Sequence, residues 1–550
     1  MASTATATSG HAGQVADYSL SYLELTRFAQ LRWLGTVGAL LAWLGGLGAG
    51  ALPVVGNAYP GLPLGSLMGR MMQTSSVVTL LGVGFIVTAW VAMAPFVGAS
   101  TDTVTRPTGL LTVSMLRRTF LQWTVPLIFT APLFTQDIYS YLAQGAALAR
   151  GLDPYSAGPV ELLGADDPLA RSVPFIWANS PSPYGPVALS IARIIAIITG
   201  ENIFFGILAH RLVTVAGIAA AAWAVTKLAR RAGVRVQVAI WLGILNPLVI
   251  FHLVGGIHNE ALMLGLVMVG LEVGLRGIDR LTGRAEPSPP RAAPPSLLSI
   301  EALPGWGLLI LAGFLISCAG MVKVTGFVAL GFVGMAIARR FRNQGLPHVI
   351  AFGASVIGGL IILVASVACV TATSGIGLGW ITGQGGAATI LSWMSITTDI
   401  GVVFGRLGMI LGLGDHTVAM LLVTRGVGIG VAMIIMVITM IAVYRGKLPT
   451  VGGLGVFLLI LVTLFPVVHP WYMLWAILPL ATYPAATSQQ SFFRKAAVIY
   501  SALLSFSVLP RGLTLPAGTV IAIYVGAIVA YLIVMGVIVW SRRRYFGASL

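Results

Sequence analysis

Asp137 stands where an apolar run gives way to a polar one, in Thr135-Gln136-Asp137-Ile138-Tyr139-Ser140-Tyr141. A carboxylate at the mouth of a membrane segment lies beside a low-dielectric surface. Desolvation there raises its pKa toward the range a general base needs. The same aspartate also suits the cap of a helix starting at Ile138, and the two roles are compatible.

Three further groups carry chemistry. In Gly255-Gly256-Ile257-His258-Asn259-Glu260, His258 and Glu260 have the donors for a divalent metal or a sugar hydroxyl, and the glycines let a ligand approach the backbone. The plainer reading is that Asn259 caps the following helix and Glu260 complements its dipole. A His-x-Glu pair alone does not define a metal site. Lys323 lies between two apolar segments, in Gly320-Met321-Val322-Lys323-Val324-Thr325-Gly326. A buried cation costs about 2.5–3.5 kcal/mol in a membrane, so it faces a cavity or a partner, such as a lipid phosphate or a structural ion pair. Arg211, after His210, poses the same choice. In His469-Pro470-Trp471-Tyr472, the Trp and Tyr fit an interfacial belt, but a belt does not require His469.

The elements that must position these groups follow from composition. Of 550 residues, 57% are hydrophobic and 9% charged, and mean hydropathy is +0.93. Soluble domains carry about 25% charged residues, so this is a polytopic membrane protein. The net charge of +16 does not point to nucleic acid, because the basic residues cluster in short loops between apolar runs. Both cysteines, Cys318 and Cys369, lie in apolar runs and read as buried packing residues. No signal peptide is evident in residues 1–20, which read as a disordered cytoplasmic tail.

Apolar stretches of spanning length fall near 31–54, 75–98, 119–134, 202–228, 236–253 and 259–278, then 304–319, 324–340 and 347–371. Five more fall near 417–443, 452–468, 471–486, 496–512 and 517–540, about 14 in all. With the N-terminus inside, the basic clusters all reach the cytoplasmic face: Arg106/Arg117/Arg118, Lys227–Arg235, Arg276–Arg291, Arg339–Arg342, Arg445/Lys447, Arg494/Lys495 and Arg542–Arg544. This requires that 186–200 lie along the outer interface. The long polar connection 135–185 is then outside. It opens with an amphipathic helix through Ile138, Tyr141, Leu142, Gly145 and Leu148, and prolines break up the remainder. The Gly-rich segment 372–416 reads as a mobile or re-entrant outer lid. EPSPPRAAPP at 286–295 reads as a cytoplasmic linker. All four chemical groups converge on the outer side.

The stretches Asp137-x-Tyr139-x-Tyr141, GAALARGLDPYSAGP and PSPYGPVALSIARI resemble the first outer loop of integral-membrane glycosyltransferases of the GT-C superfamily. GGIHNEALML, MVKVTGF and HPWYMLW also resemble later elements of that family. The resemblance covers roughly 119–490. It is nearest to the actinobacterial polyprenol-phosphate-mannose-dependent α-(1→6)-mannopyranosyltransferases of lipomannan synthesis, in the initiating MptB type. It implies an all-α polytopic fold of 13–14 transmembrane helices with a large first outer loop containing amphipathic helices. The expected parts are N-terminal helices at 21–118, a GT-C type module at 119–371 including the outer loop 135–200, the Gly-rich loop at 372–416 and C-terminal helices at 417–550.

The resemblance further implies that mannose passes from polyprenyl-phosphate mannose to a lipid-linked mannoside with inversion. Asp137 would act as base on the acceptor 6-hydroxyl. Lys323 and Arg211 would hold the donor phosphate, and Tyr139, Tyr141 and Trp471 would stack on sugar rings. His258, Asn259, Glu260, His469 and Tyr472 complete the expected substrate site. The acidic pair common in such catalytic motifs is missing, since Gln136 precedes Asp137. No metal ligand is therefore assigned, and a divalent cation, Mg or Mn, stays open as a cofactor. The expected setting is the bacterial plasma membrane with an extracytoplasmic active site. The rival reading is a secondary transporter or lipid flippase, which would show paired interrupted helices near the midplane; a noncatalytic lipid-binding scaffold is a third.

Overall fold

The structure, a computed structural model, describes residues 20–99, 109–282, 299–383, 390–484 and 487–546. Residues 1–19 of the expected tail, the linker at 286–295, and Arg106 and Arg291 lie outside the described residues, as does part of the Gly-rich segment, 384–389.

Among the described residues the secondary structure is helical, without strands. Helices α1 (Tyr22–Ala49) and α2 (Met72–Ala92) pair along their length, and α3 (Val113–Ile128) packs on α1. Helices α4 (Asp137–Ala149) and α5 (Pro186–Thr199) pack on each other and are joined by a proline-broken loop. Next come α6 (Ile203–Arg231), α7 (Val236–Gly243) and α8 (Glu260–Leu281). Helices α9 (Leu303–Gly320), α10 (Val328–Asn343) and α11 (His348–Ser374) follow. The rest comprises α12 (Ile396–Ile410), α13 (Thr417–Tyr444), α14 (Thr450–Leu464), α15 (Leu474–Ala481), α16 (Thr487–Leu504) and α17 (Ala517–Phe546).

Nine of the described helices are long and apolar enough to cross a membrane: α1, α2, α6, α8, α9, α10, α11, α13 and α17. The fold is thus the all-α polytopic GT-C type. The other five apolar stretches form shorter or interrupted helices. The stretch 236–253 stops after α7 because Pro247 cannot donate an N–H. The Asn246 side chain takes over that break, donating to the Leu242 carbonyl and the Ser501 hydroxyl and accepting from the Leu248 N–H. The chain resumes as a π-helical turn, Val249–Gly255.

Part of the segment 372–416, expected as a mobile or re-entrant lid, is helical. It contains α12, which packs on α13, and its Ser392, Ser395 and Thr398 hydroxyls donate to the carbonyls of Val468, Phe465 and Pro466. The α5 helix has 14 residues, about 21 Å by helical rise, and does not span a bilayer. The α4 helix is more enclosed than an amphipathic surface helix, since every residue from Ile138 to Ala147 is buried. Cys318 is buried, but Cys369 is exposed on α11, whose surface faces outward from the bundle.

Two close approaches fix the helices that carry the polar groups. A Cβ at Gly217 of α6 would lie 2.5 Å from the Ala261 carbonyl of α8, and one at Gly265 would lie 2.4 Å from the Gly217 carbonyl. Such small-residue contacts let membrane helices approach backbone to backbone. Helices α8 and α9 run alongside each other, and α9 turns into α10 at Lys323. This hairpin returns Lys323 to the end of the bundle where α8 begins with Glu260. Gly265→Val should separate α6 from α8 and destabilise the fold by about 1–3 kcal/mol, read as a lower melting temperature of the detergent-solubilised protein.

Candidate active site

Asp137 occupies the first turn of α4, but Gln136 is the cap residue, and the Asp137 carboxylate makes no capping bond. Its own N–H donates to the Thr135 hydroxyl at 3.1 Å. The carboxylate instead accepts from the Trp177 indole N–H at 3.0 Å. Its other oxygen lies 3.6 Å from His258 Nδ1, and 21% of the side chain is accessible. Burial pushes the Asp137 carboxyl above its ordinary range. The Trp177 bond opposes that shift, Glu260 adds to it, and Lys323 opposes it again. Burial pushes His258 well below its ordinary value, so the imidazole facing Asp137 is neutral.

A chain of contacts leads from this carboxylate to an ion pair. The His258 ring stacks on Trp471 with centroids 3.6 Å apart. The Trp471 indole N–H donates to Glu260 Oε1 at 3.1 Å. The same oxygen accepts from Lys323 Nζ at 2.5 Å, and Lys323 also donates to the Tyr472 hydroxyl at 2.9 Å. The ammonium further lies 4.2 Å from the Tyr472 ring centroid, within reach of the ring's negative face. His469 stacks on Trp471 at 4.7 Å. Four distant stretches of sequence therefore meet: Asp137, the His258–Glu260 turn, Lys323 and the His469–Tyr472 turn.

Several expected roles change. Arg211 cannot hold a phosphate, because it is 1% exposed and its guanidinium is occupied by backbone carbonyls. It donates to Val254 at 3.1 Å, Ile128 at 2.6 Å, Thr130 at 2.8 Å and Gly255 at 3.3 Å. Tyr139 offers no face to a sugar: it is buried, and its hydroxyl donates to the Ala51 carbonyl. Tyr141 is also buried, edge-on to Tyr184, whose hydroxyl donates to it at 3.2 Å. Trp471 is 4% exposed, with two imidazoles stacked on it. Asn259 holds the cap position of α8 but makes no side-chain cap bond. It lines a narrow crevice with Tyr141, Tyr184 and His210.

Trp177 is the site residue that the sequence reading missed. Its only signal was a tryptophan in a proline-rich connection that otherwise needs no indole. Among the described residues no group of three or more His, Cys, Asp and Glu could hold a metal ion. The donor set near Asp137 also fits a divalent cation poorly, because Lys323 already neutralises Glu260 and would repel a second cation.

The comparisons with known proteins match the chain to a family. Residues 32–339 match the model described as "Alpha-(1->6)-mannopyranosyltransferase, N-terminal domain", and 397–536 match "MptB C-terminal domain". The chain belongs to the alpha-(1->6)-mannopyranosyltransferase family, in its MptB type. It is 56% identical over 522 residues to alpha-(1->6)-mannopyranosyltransferase B of Corynebacterium glutamicum, covering 95% of this chain and 83% of that protein. A probable alpha-(1->6)-mannopyranosyltransferase of Mycolicibacterium smegmatis is 42% identical, covering 84% of this chain and 80% of the relative. Alpha-(1->6)-mannopyranosyltransferase A of Mycobacterium tuberculosis is 33% identical, over 80% and 78%. No solved structure matches the chain.

The corrected role of Arg211 is testable. Arg211→Met takes the guanidinium from four carbonyls, of which Gly255 keeps the Leu133 N–H and Thr130 the Tyr59 hydroxyl, and should cost at least about 3 kcal/mol, read as loss of monodisperse protein on size exclusion. A phosphate-binding arginine would instead leave folded protein with a raised KM.

Proposed function

We propose that the chain transfers mannose from polyprenyl-phosphate mannose to the 6-hydroxyl of a lipid-linked mannoside, extending an α-(1→6) mannan backbone of the lipomannan kind. The proposed setting is the outer side of the bacterial plasma membrane. The observation that carries this reading is the state of Asp137. Its carboxylate is desolvated, free of helix capping and of any cation pair among the described residues, held by one indole N–H, and still accessible.

Such a carboxylate suits a general base. In the proposed step the acceptor O6 attacks C1 of the donor mannose while Asp137 takes the O6 proton. The C1–O bond to phosphate breaks, and its electron pair leaves with the phosphate. Attack from the face opposite a β-linked phosphate gives the α product. The phosphate leaves as an anion and needs no proton, only positive charge nearby. Lys323 has a 23% accessible side chain and a third N–H beyond those given to Glu260 and Tyr472. It is the proposed partner of that phosphate. His258, Glu260 and Trp471 hold the geometry between base and cation.

Asp137→Asn should lower transfer by at least about 100-fold in an assay with polyprenyl-phosphate mannose and a short lipid-linked mannoside, while the melting temperature stays near that of the native protein. Full activity in that variant would remove Asp137 from the role.

The base works only when ionised. Because burial raises its pKa, the acid limb of the rate–pH profile should lie above the ordinary carboxylate range. Trp177→Phe removes a bond that stabilises the carboxylate, so the limb should move to higher pH. A limb that moves down or stays fixed contradicts the assignment. Activity should also survive treatment with a chelator, because Lys323 supplies positive charge without a metal.

A further inference from the structure

At the far end of the same helices lies a second polar cavity. Its volume is about 510 Å3, within the range typical of small-molecule sites. Helix α8 runs from Glu260 at the candidate active site to Asp279 at this cavity, roughly 28 Å along the helix axis. Arg231, Asp279, Arg339, Arg340, Thr450 and Tyr483 supply polar groups to its wall, and aliphatic side chains of α6, α8, α10, α13 and α14 supply much of the rest.

The charges on this wall do not balance. Arg231 donates to Asp279 and, at 3.3 Å, to Glu272, which also accepts from Arg276 at 2.7 Å. Both nearby carboxylates are therefore engaged. Among the described residues, neither Arg339 nor Arg340 has a carboxylate partner. Arg340 is only 5% exposed. Its Nη groups reach the Leu281 carbonyl and the Gln344 side chain, and its Nε has no hydrogen-bond partner. Arg339 stands exposed beside it. The Arg340 Nε is enclosed, so Arg340 meets the cavity as an uncompensated charge; a buried guanidinium without a counter-charge is costly, and an anion in the adjoining cavity relieves that cost. The exposed Arg339 guanidinium supplies N–H donors that match phosphoryl oxygens in shape and charge, and Arg340 adds its positive charge beside it. The aliphatic part of the wall suits an apolar group attached to the anion.

We propose that this cavity binds a phosphoryl anion, carried by an anionic phospholipid headgroup or supplied as free phosphate, in a site separate from the transferase centre. The test uses the purified full chain in mild detergent. Native mass spectrometry follows retention of phosphatidylglycerol against phosphatidylcholine, with inorganic phosphate as competitor in a second arm. The native protein should retain phosphatidylglycerol with about tenfold preference, the scale of one charge-assisted hydrogen bond. Arg339→Gln should bring the preference to parity. Arg340→Gln should do the same, and because Arg340 also bonds the end of α8, the Arg339 variant keeps the test valid if that second variant fails to fold.

Arg342→Gln removes equal charge from the same helix outside the cavity, where Arg342 lies over Tyr444, and should leave the preference intact. Competition by inorganic phosphate identifies the phosphoryl group itself as sufficient, whereas its failure to compete identifies the lipid as the source. Equal retention of the two lipids by the native protein overturns the proposal. So does an Arg342→Gln loss as large as that of Arg339→Gln.

Discussion

The candidate site depends on a buried cation that no carboxylate among the described residues neutralises. Arg211 meets the carbonyls of Ile128 and Thr130, at and just beyond the end of α3, and those of Val254 and Gly255, at the end of the π-turn. Helix ends leave carbonyls unpaired and carry partial negative charge, so a guanidinium satisfies both hydrogen bonding and electrostatics. The first segment runs on to Asp137 and the second to His258. Leu133 N–H also donates to the Gly255 carbonyl, which ties the two segments together beyond the clamp, and Phe134 N–H donates to the Pro510 carbonyl farther along the chain. The 3.6 Å approach of Asp137 and His258 therefore follows from where one arginine holds two chain ends.

Strain marks the same place. Phe134 and Ile257 both have positive φ, 65° and 60°, although neither is glycine. For a β-branched residue such as Ile257 that conformation is unfavourable by about 1–2 kcal/mol. It persists because burial and the clamp leave the chain no alternative path, and strain of this kind concentrates at functional sites. The two strained residues precede Asp137 by three positions and His258 by one. The backbone turns that aim these side chains are thus held under load by the surrounding core.

The sequence showed the membrane class, most helices and the convergence of four polar stretches, because apolar run length and basic-loop asymmetry are strong one-dimensional signals. It also singled out Asp137, His258, Glu260 and Lys323, which do meet. It could not show which polar atoms would satisfy one another. Arg211 and Lys323 look alike as buried cations in a sequence, yet one faces carbonyls and the other a carboxylate. Tyr139 and Tyr141 look like sugar-stacking rings, but α4 is buried on all sides and leaves them no free face. Trp177 was hidden for the opposite reason: its partner lies 40 residues away across a loop whose path follows no periodicity. Interrupted helices were misread as whole spans where a single residue, Pro247, decided the break.

One part of the site comes from the far end of the chain. Asp137, His258, Glu260 and Lys323 all fall within 32–339, whereas Trp471 and Tyr472 fall within 397–536. The Trp471 turn is held from outside by α12 and the residues before it, whose hydroxyls bond the carbonyls of 465–468. From there the indole N–H bonds Glu260, and the Tyr472 hydroxyl accepts from Lys323. Without this turn the Glu260–Lys323 pair would lose two hydrogen bonds and its aromatic cover. Water would then screen the ion pair and weaken its influence on Asp137. The C-terminal helices thus do more than anchor the chain in lipid: they close the polar cluster that the N-terminal region assembles.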